Sequence, residues 1–125
     1  MAKVLEVDVD DWEQEVLQCD VLTVVDFWHD FCSWCKKLNP ILEEVAEEYK
    51  EEIRFVKMNI LEPPDNREIA REHGIMSVPT LMFFCEGRSV RQYLGFMPKD
   101  DLKEKIEETL EEYEDCIKRS TPLET

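Results

Sequence analysis

The stretch VVDFWHDFCSWCKKLNP, residues 24–40, decides how this chain folds. An apolar run suited to a strand covered on both faces passes within a few residues into the spacing of an amphipathic helix. Two cysteines, Cys32 and Cys35, stand at the joint. Backbone N–H groups in the first turn of a helix have no intrahelical acceptor, and with the positive end of the dipole they favour thiolate over thiol. Cys32 is therefore the expected attacking sulfur. A free thiol has a pKa near ~8.5, each unit of depression corresponds to about 1.4 kcal/mol, and a shift of one or two units lies within reach of a helix start. Cys35, one turn further in, shares a helix face with Cys32 at i, i+3, the reach of a disulfide, and is the expected resolving thiol. The alternative is half of a zinc site. A structural site needs four ligands, no second CxxC or close HxxxH is present, and His29 is the one nearby donor. One residue does not suit the apolar run: Asp26, a carboxylate among valines and aromatics.

Outside this stretch, 125 residues with 43% hydrophobic and 10% aromatic content predict one globular domain over residues 1–125. Thirty acidic against fifteen basic residues give a net charge of −15, which repels phosphate backbones and anionic membrane surfaces. Neither nucleic acid nor membrane is expected as a partner. No run of about 18 apolar residues is present to span a bilayer, and MAKVLEVDVDDWEQ has neither a long apolar core nor a small-residue cleavage site, so a cytoplasmic location is expected. The five cysteines, Cys19, Cys32, Cys35, Cys85 and Cys116, are odd in number and contain one close pair, which suits a reducing compartment.

Periodicity supplies the order of elements. VLEV predicts a short first strand, and Asp10 with Glu13 a capping-box start for a helix to about Gln18. VLTVVDFW is a buried strand, followed by a helix with Leu38, Leu42, Val45 and Tyr49 on one face and a kink at Pro40. IRFVKMNI and DNREIAREHG, closed by Gly74, complete a strand, helix, strand pattern of a parallel crossover. PTLMFFCEGRSVRQYLG predicts two strands about a tight turn at Glu86 and Gly87. PKDDLKEKIEETLEEYEDCIKR predicts a helix with Leu102, Ile106, Leu110, Tyr113 and Ile117 on one face. The sum is an α/β fold: a mixed sheet of about five strands flanked by about four helices.

Several of these segments together resemble the thioredoxin family over nearly the whole chain: VVDFWHDFCSWCKKLNPILEEVAEEY its active-site segment, FVKMNI its third strand, HGIMSVPT its cis-proline loop, and LGFMPKDDL its last turn into the C-terminal helix. The resemblance implies a thioredoxin fold and accounts for Asp26, since family members keep a buried aspartate behind the cysteines as proton acceptor for the second one. Desolvation raises the pKa of a carboxylate in an apolar strand and makes it a usable base near neutral pH. The alternative places Asp26 at a solvated strand end. Lys57 matches a family lysine beside that aspartate. Val78 and Pro79 match the loop whose proline is cis, where the backbone of Val78 would pair with an extended substrate segment. Trp28, Phe31, Trp34, Met76 and Phe96 are candidates for the apolar surface around it, with core packing the alternative for Trp28 and Phe96. Asp30 is expected to be a solvated loop residue.

The resemblance implies a dithiol–disulfide oxidoreductase that reduces protein disulfides, needs no cofactor beyond its own Cys32–Cys35 disulfide, works as a monomer, and is recycled by a disulfide reductase or a low-molecular-weight thiol. A disulfide isomerase or oxidant, and a non-catalytic interaction module on the same fold, are the alternatives. A scaffold has no need of both cysteines together with Asp26 and Pro79. The chain departs from the family at Ser33-Trp34, where Gly-Pro is usual, and at Phe31, where a Trp is usual. FCSWCKK offers the thiolate just a helix start, with Lys36 and Lys37 on the next turn, so a reducing potential is expected. Cys85 is expected to pack as a buried thiol, with regulatory oxidation an option for Cys19 or Cys116. LEPPDNRE is longer than in compact relatives of this family.

Overall fold

The computed structural model describes residues 4–113. Along the chain run β1 (Val4–Glu6), α1 (Val9–Trp12) continuing as a π-helical turn (Glu13–Leu17), β2 (Leu22–Trp28), α2 (Ser33–Glu48), β3 (Ile53–Asn59), α3 (Asn66–Glu72), β4 (Thr80–Cys85), β5 (Arg88–Leu94) and α4 (Lys99–Glu112). The strands form one sheet in the order β1-β3-β2-β4-β5. β1 and β2 run parallel to β3, whereas β4 is antiparallel to β2, and β5 to β4. β2 is therefore the central strand, and its end delivers the chain to Cys32 and α2.

Side-chain alternation divides β2 between two cores. Leu22 and Val24 pack with Leu38, Leu42 and Val45 of α2 and with Leu102 and Ile106 of α4. Val25 and Phe27 pack on the other face with Trp12, Val16, Val56, Met58, Ile69 and Phe84. Each fully buried Leu or Phe contributes roughly 1.5–3 kcal/mol, so the two cores bind the helices to the sheet from both sides. The same period of two places Asp26 and Trp28 on the α2 face with Leu22 and Val24.

Local detail differs from the sequence expectations in a few places. The first helix is capped at Asp8, not Asp10: the Asp8 N–H donates to Asp11 Oδ2 at 3.0 Å, and the helix loosens into the π turn after one turn. Pro40 lies inside α2 without ending it. The β4–β5 turn has positive φ at both Glu86 (54°) and Gly87 (83°), and a Cβ on Gly87 would stand 2.8 Å from the Leu17 carbonyl oxygen. Cys85, expected to pack as a free thiol, is buried and disulfide-bonded. Cys19 is a free buried thiol. Cys116 and Ile117 lie outside the described residues.

A buried polar knot at Asn66 had no signal in the hydrophobic pattern. Its Oδ1 accepts from the Val9 N–H (2.8 Å), and its Nδ2 donates to the Asn59 carbonyl (3.0 Å) and to Asp8 Oδ1 (3.2 Å). One side chain thus ties the start of α1 and the end of β3 to α3. Asn66→Ala should destabilise the fold by about 2–4 kcal/mol in denaturant unfolding, because it strands a part-buried N–H and a buried carbonyl at once. A loss below about 0.5 kcal/mol would show that the knot is dispensable.

Candidate functional site

Cys32 is the N-cap of α2, held in extended backbone, and its Sγ accepts the Cys35 N–H at 3.0 Å. A sulfur fills the place usually taken by a Ser or Asp oxygen, so the free N–H groups of the helix start act directly on the Cys32 sulfur. The two cysteines are joined as a disulfide with their Cα atoms 5.2 Å apart. Because these sulfurs bind each other and His29 Nδ1 accepts the Phe31 N–H (3.1 Å), His29 orders the loop before Cys32. Among the described residues no group of three or more His, Cys, Asp or Glu side chains is placed to hold a metal.

Opposite the pair, Val78–Pro79 is a cis peptide bond, and the Val78 carbonyl oxygen lies 3.6 Å from Cys32 Sγ. Thr80 Oγ1 donates to the Ser77 carbonyl (2.7 Å) and the Gly95 N–H to the Pro79 carbonyl (2.8 Å), which anchor this loop to β4 and to the end of β5. Beside it lies a shallow cleft of about 350 Å³ lined by Trp34, Val78, Pro79, Gly95 and Phe96. Trp34, 52% exposed, leans on Phe96 with ring centroids 5.4 Å apart, and Lys37 Nζ sits 4.6 Å from the Trp34 centroid. Phe31 and Met76 are almost fully exposed at 85% and 93%. Phe31 belongs to a different and larger cleft of about 810 Å³, with Glu6, Asp8, Asp30 and Glu62 on its walls. Asp30 is exposed there and accepts from Asn59 Nδ2 at 3.4 Å.

Beneath Cys35 is a cavity of about 190 Å³ lined by Asp26, Trp28, Cys35, Lys36, Asn39 and Lys57. Asp26 is only 2% exposed and pairs in register with Lys57 of β3. Burial pushes the Asp26 carboxyl up to about 7, against the downward pull of the Lys57 ammonium. A group at that value exchanges protons freely near neutral pH. Lys57 Nζ also lies 5.3 Å from the Trp28 ring centroid. The structure therefore gathers Asp26, Trp28, Cys35 and Lys57 on one side of the disulfide and Trp34, Val78, Pro79 and Phe96 on the other. The sequence left Trp28 between the outer apolar surface and the core, and alternation along β2 turns it inward to the cavity. Sequence reasoning missed Asn39, although the i+4 step from Cys35 along α2 was the signal that could have found it.

Comparison with known proteins agrees with this geometry. The family model described as Thioredoxin matches residues 3–108. Thioredoxin 1 of Nostoc sp. is 37% identical over 110 residues, covering 88% of this chain and all of the relative. The thioredoxin of Porphyra purpurea is 41% identical over 102 residues, 82% of this chain and 89% of the relative. That of Alicyclobacillus acidocaldarius is 38% identical over 98 residues, 78% and 90% respectively.

The raised Asp26 value makes stability depend on pH. Between the ordinary carboxyl value of 3.8 and about 7 the folded protein keeps a proton that the unfolded chain loses, so stability falls as pH rises through that window. Asp26→Asn removes the buried charge. The oxidised variant should exceed the parent at pH 8 by on the order of 4 kcal/mol, with the gap closing towards pH 4, in denaturant unfolding at several pH values. A gap that does not vary with pH would show that Asp26 titrates normally.

Proposed function

The chain belongs to the thioredoxin family and is a protein-disulfide reductase, and we propose that Cys32 attacks, Cys35 resolves and Asp26 takes the proton of Cys35. The observation that carries this reading is the Cys32–Cys35 disulfide at the start of α2, with the Val78 carbonyl on one side and the Asp26 cavity on the other. In the dithiol state the Cys32 thiolate attacks one sulfur of a substrate disulfide. A mixed disulfide forms, and the other substrate sulfur leaves as thiolate and picks up a proton. Asp26 then accepts the Cys35 thiol proton, and the Cys35 thiolate attacks Cys32 Sγ. That step breaks the mixed disulfide, releases the second substrate thiol and closes the intramolecular disulfide. Two electrons pass from the pair to the substrate. Lys57 holds the Asp26 charge in check.

Half-buried Val78, beside the buried cis Pro79, and the cleft by Trp34 and Phe96 suit an extended substrate segment, with Phe31 and Met76 as outlying apolar contacts. The partners on this reading are protein disulfides, and a disulfide reductase or a low-molecular-weight thiol restores the dithiol. Monomeric action in the cytoplasm fits the acidic surface, and no helix among the described residues is long and apolar enough to cross a membrane.

Cys35→Ser should accumulate a mixed disulfide with a substrate protein, visible on non-reducing gels, and Cys32→Ser should accumulate none. Equal trapping by both variants, or by neither, overturns the assignment of roles. Trp34 leans on Phe96 and adds neither charge nor hydrogen bond to Cys32, so the potential of the pair should lie near reductant values of about −270 mV rather than the −120 mV of strong oxidants. Equilibration with glutathione measures it, and a pair that stays reduced in buffers rich in oxidised glutathione would make the protein an oxidant or isomerase.

A further inference from the structure

The cavity under Cys35 is graded in depth. Asp26 and Cys35 lie buried at its inner end, Trp28, Asn39 and Lys57 are half-buried, and Lys36 is exposed. Two buried polar atoms of its walls, Asp26 Oδ1 and Trp28 Nε1, have no hydrogen-bond partner among the described residues, one an acceptor and the other a donor. A volume of about 190 Å³ exceeds the roughly 10–15 Å³ that a single water requires, and a site with these polar atoms meets the other condition for holding one. The proton that Asp26 takes from Cys35 has to leave through this space, because β3 and β4 close the sheet on both sides of Asp26, with Lys57 and Leu81 in register.

A path for a proton needs groups that both accept and donate. The ammonium groups of Lys36 and Lys57 and the indole of Trp28 only donate, and the ionised Asp26 only accepts. The side-chain amide of Asn39 does both, carries no charge to disturb Asp26, and lies one helical turn beyond Cys35 on the same face of α2. We propose that Asn39 is a positioning residue for the resolving step: its amide orders the polar path by which Asp26 passes the Cys35 proton to solvent. This rests on the role of Asp26 given above. The charged and titratable groups facing Asp26 are Lys57 from β3 and Cys35 and Lys36 from α2, and β4 presents Leu81.

Single-turnover reduction of an aromatic disulfide such as dithiobis-nitrobenzoate by the full chain separates the two steps, since the first thionitrobenzoate reports Cys32 attack and the second reports resolution by Cys35. Asn39→Leu should slow the second release about tenfold at pH 7 and move its pH profile upward by roughly one unit, with the first release unchanged. Asn39→Asp should move the profile upward as well, by like charge, and Asn39→Ser, which keeps a donor and an acceptor, should restore the parent profile. The carboxyl ¹³C titration of Asp26 in the oxidised protein should follow the same order, and Ser and Asp variants carry the test if Leu does not fold. A second release that matches the parent in Asn39→Leu, beside an altered one in Asp26→Asn, overturns the role of Asn39 alone. Equal slowing of both releases shows a merely structural effect and overturns it too. A parent-like profile in Asp26→Asn overturns the role of Asp26 and, with it, this inference.

Discussion

The Cys35 N–H donates to Cys32 Sγ at 3.0 Å, and much of the site depends on that contact. It makes one sulfur both the cap of α2 and the proposed nucleophile, and on that reading a helix that began elsewhere would lose the stabilisation of the thiolate. The position of the helix start is in turn set by β2, whose central place in the sheet fixes where the chain emerges. Leu38, Leu42 and Val45 then pack α2 against the sheet, and Cys35 and Asp26 line one cavity.

On the role proposed for Asp26, stability and chemistry pull apart at this residue. An apolar residue there would pack in a strand whose neighbours Val24, Val25 and Phe27 are fully buried. The carboxylate instead destabilises the folded state above neutral pH, and the buried Asn66 knot and two apolar cores offset that cost elsewhere. The opposing pull of Lys57 keeps the carboxyl near 7 rather than higher, where a base would be protonated at working pH.

Around the disulfide, Trp34 does two things that a Gly-Pro dipeptide would not. It widens the apolar surface by leaning on Phe96, and its ring takes the Lys37 ammonium at 4.6 Å from its centroid. The larger cleft by Phe31 carries four carboxylates against one Arg67, in keeping with a net charge of −15, so exposed Phe31 stands beside negative charge.

By itself the amino-acid sequence determined the order of strands and helices, the pairing of Cys32 with Cys35 at a helix start, and the anomaly of Asp26, because each of these is a local pattern: a period of two or 3.6, an i, i+3 spacing, one charged residue in an apolar run. The cis bond at Val78–Pro79 was legible through the family resemblance, whereas the cis Glu62–Pro63 bond was not. Only the tertiary structure decided which side chains share a space. Trp28 and Asn39 meet Asp26 and Lys57 because residues of α2, β2 and β3 line one cavity, and no spacing along the chain encodes that meeting. Asn66 was illegible for the same reason: its partners lie up to 58 residues away, and a buried polar residue in a helix looks in sequence like an exposed one. Likewise Phe31 and Trp34, three residues apart, line different clefts, since the helix start turns one away from the other.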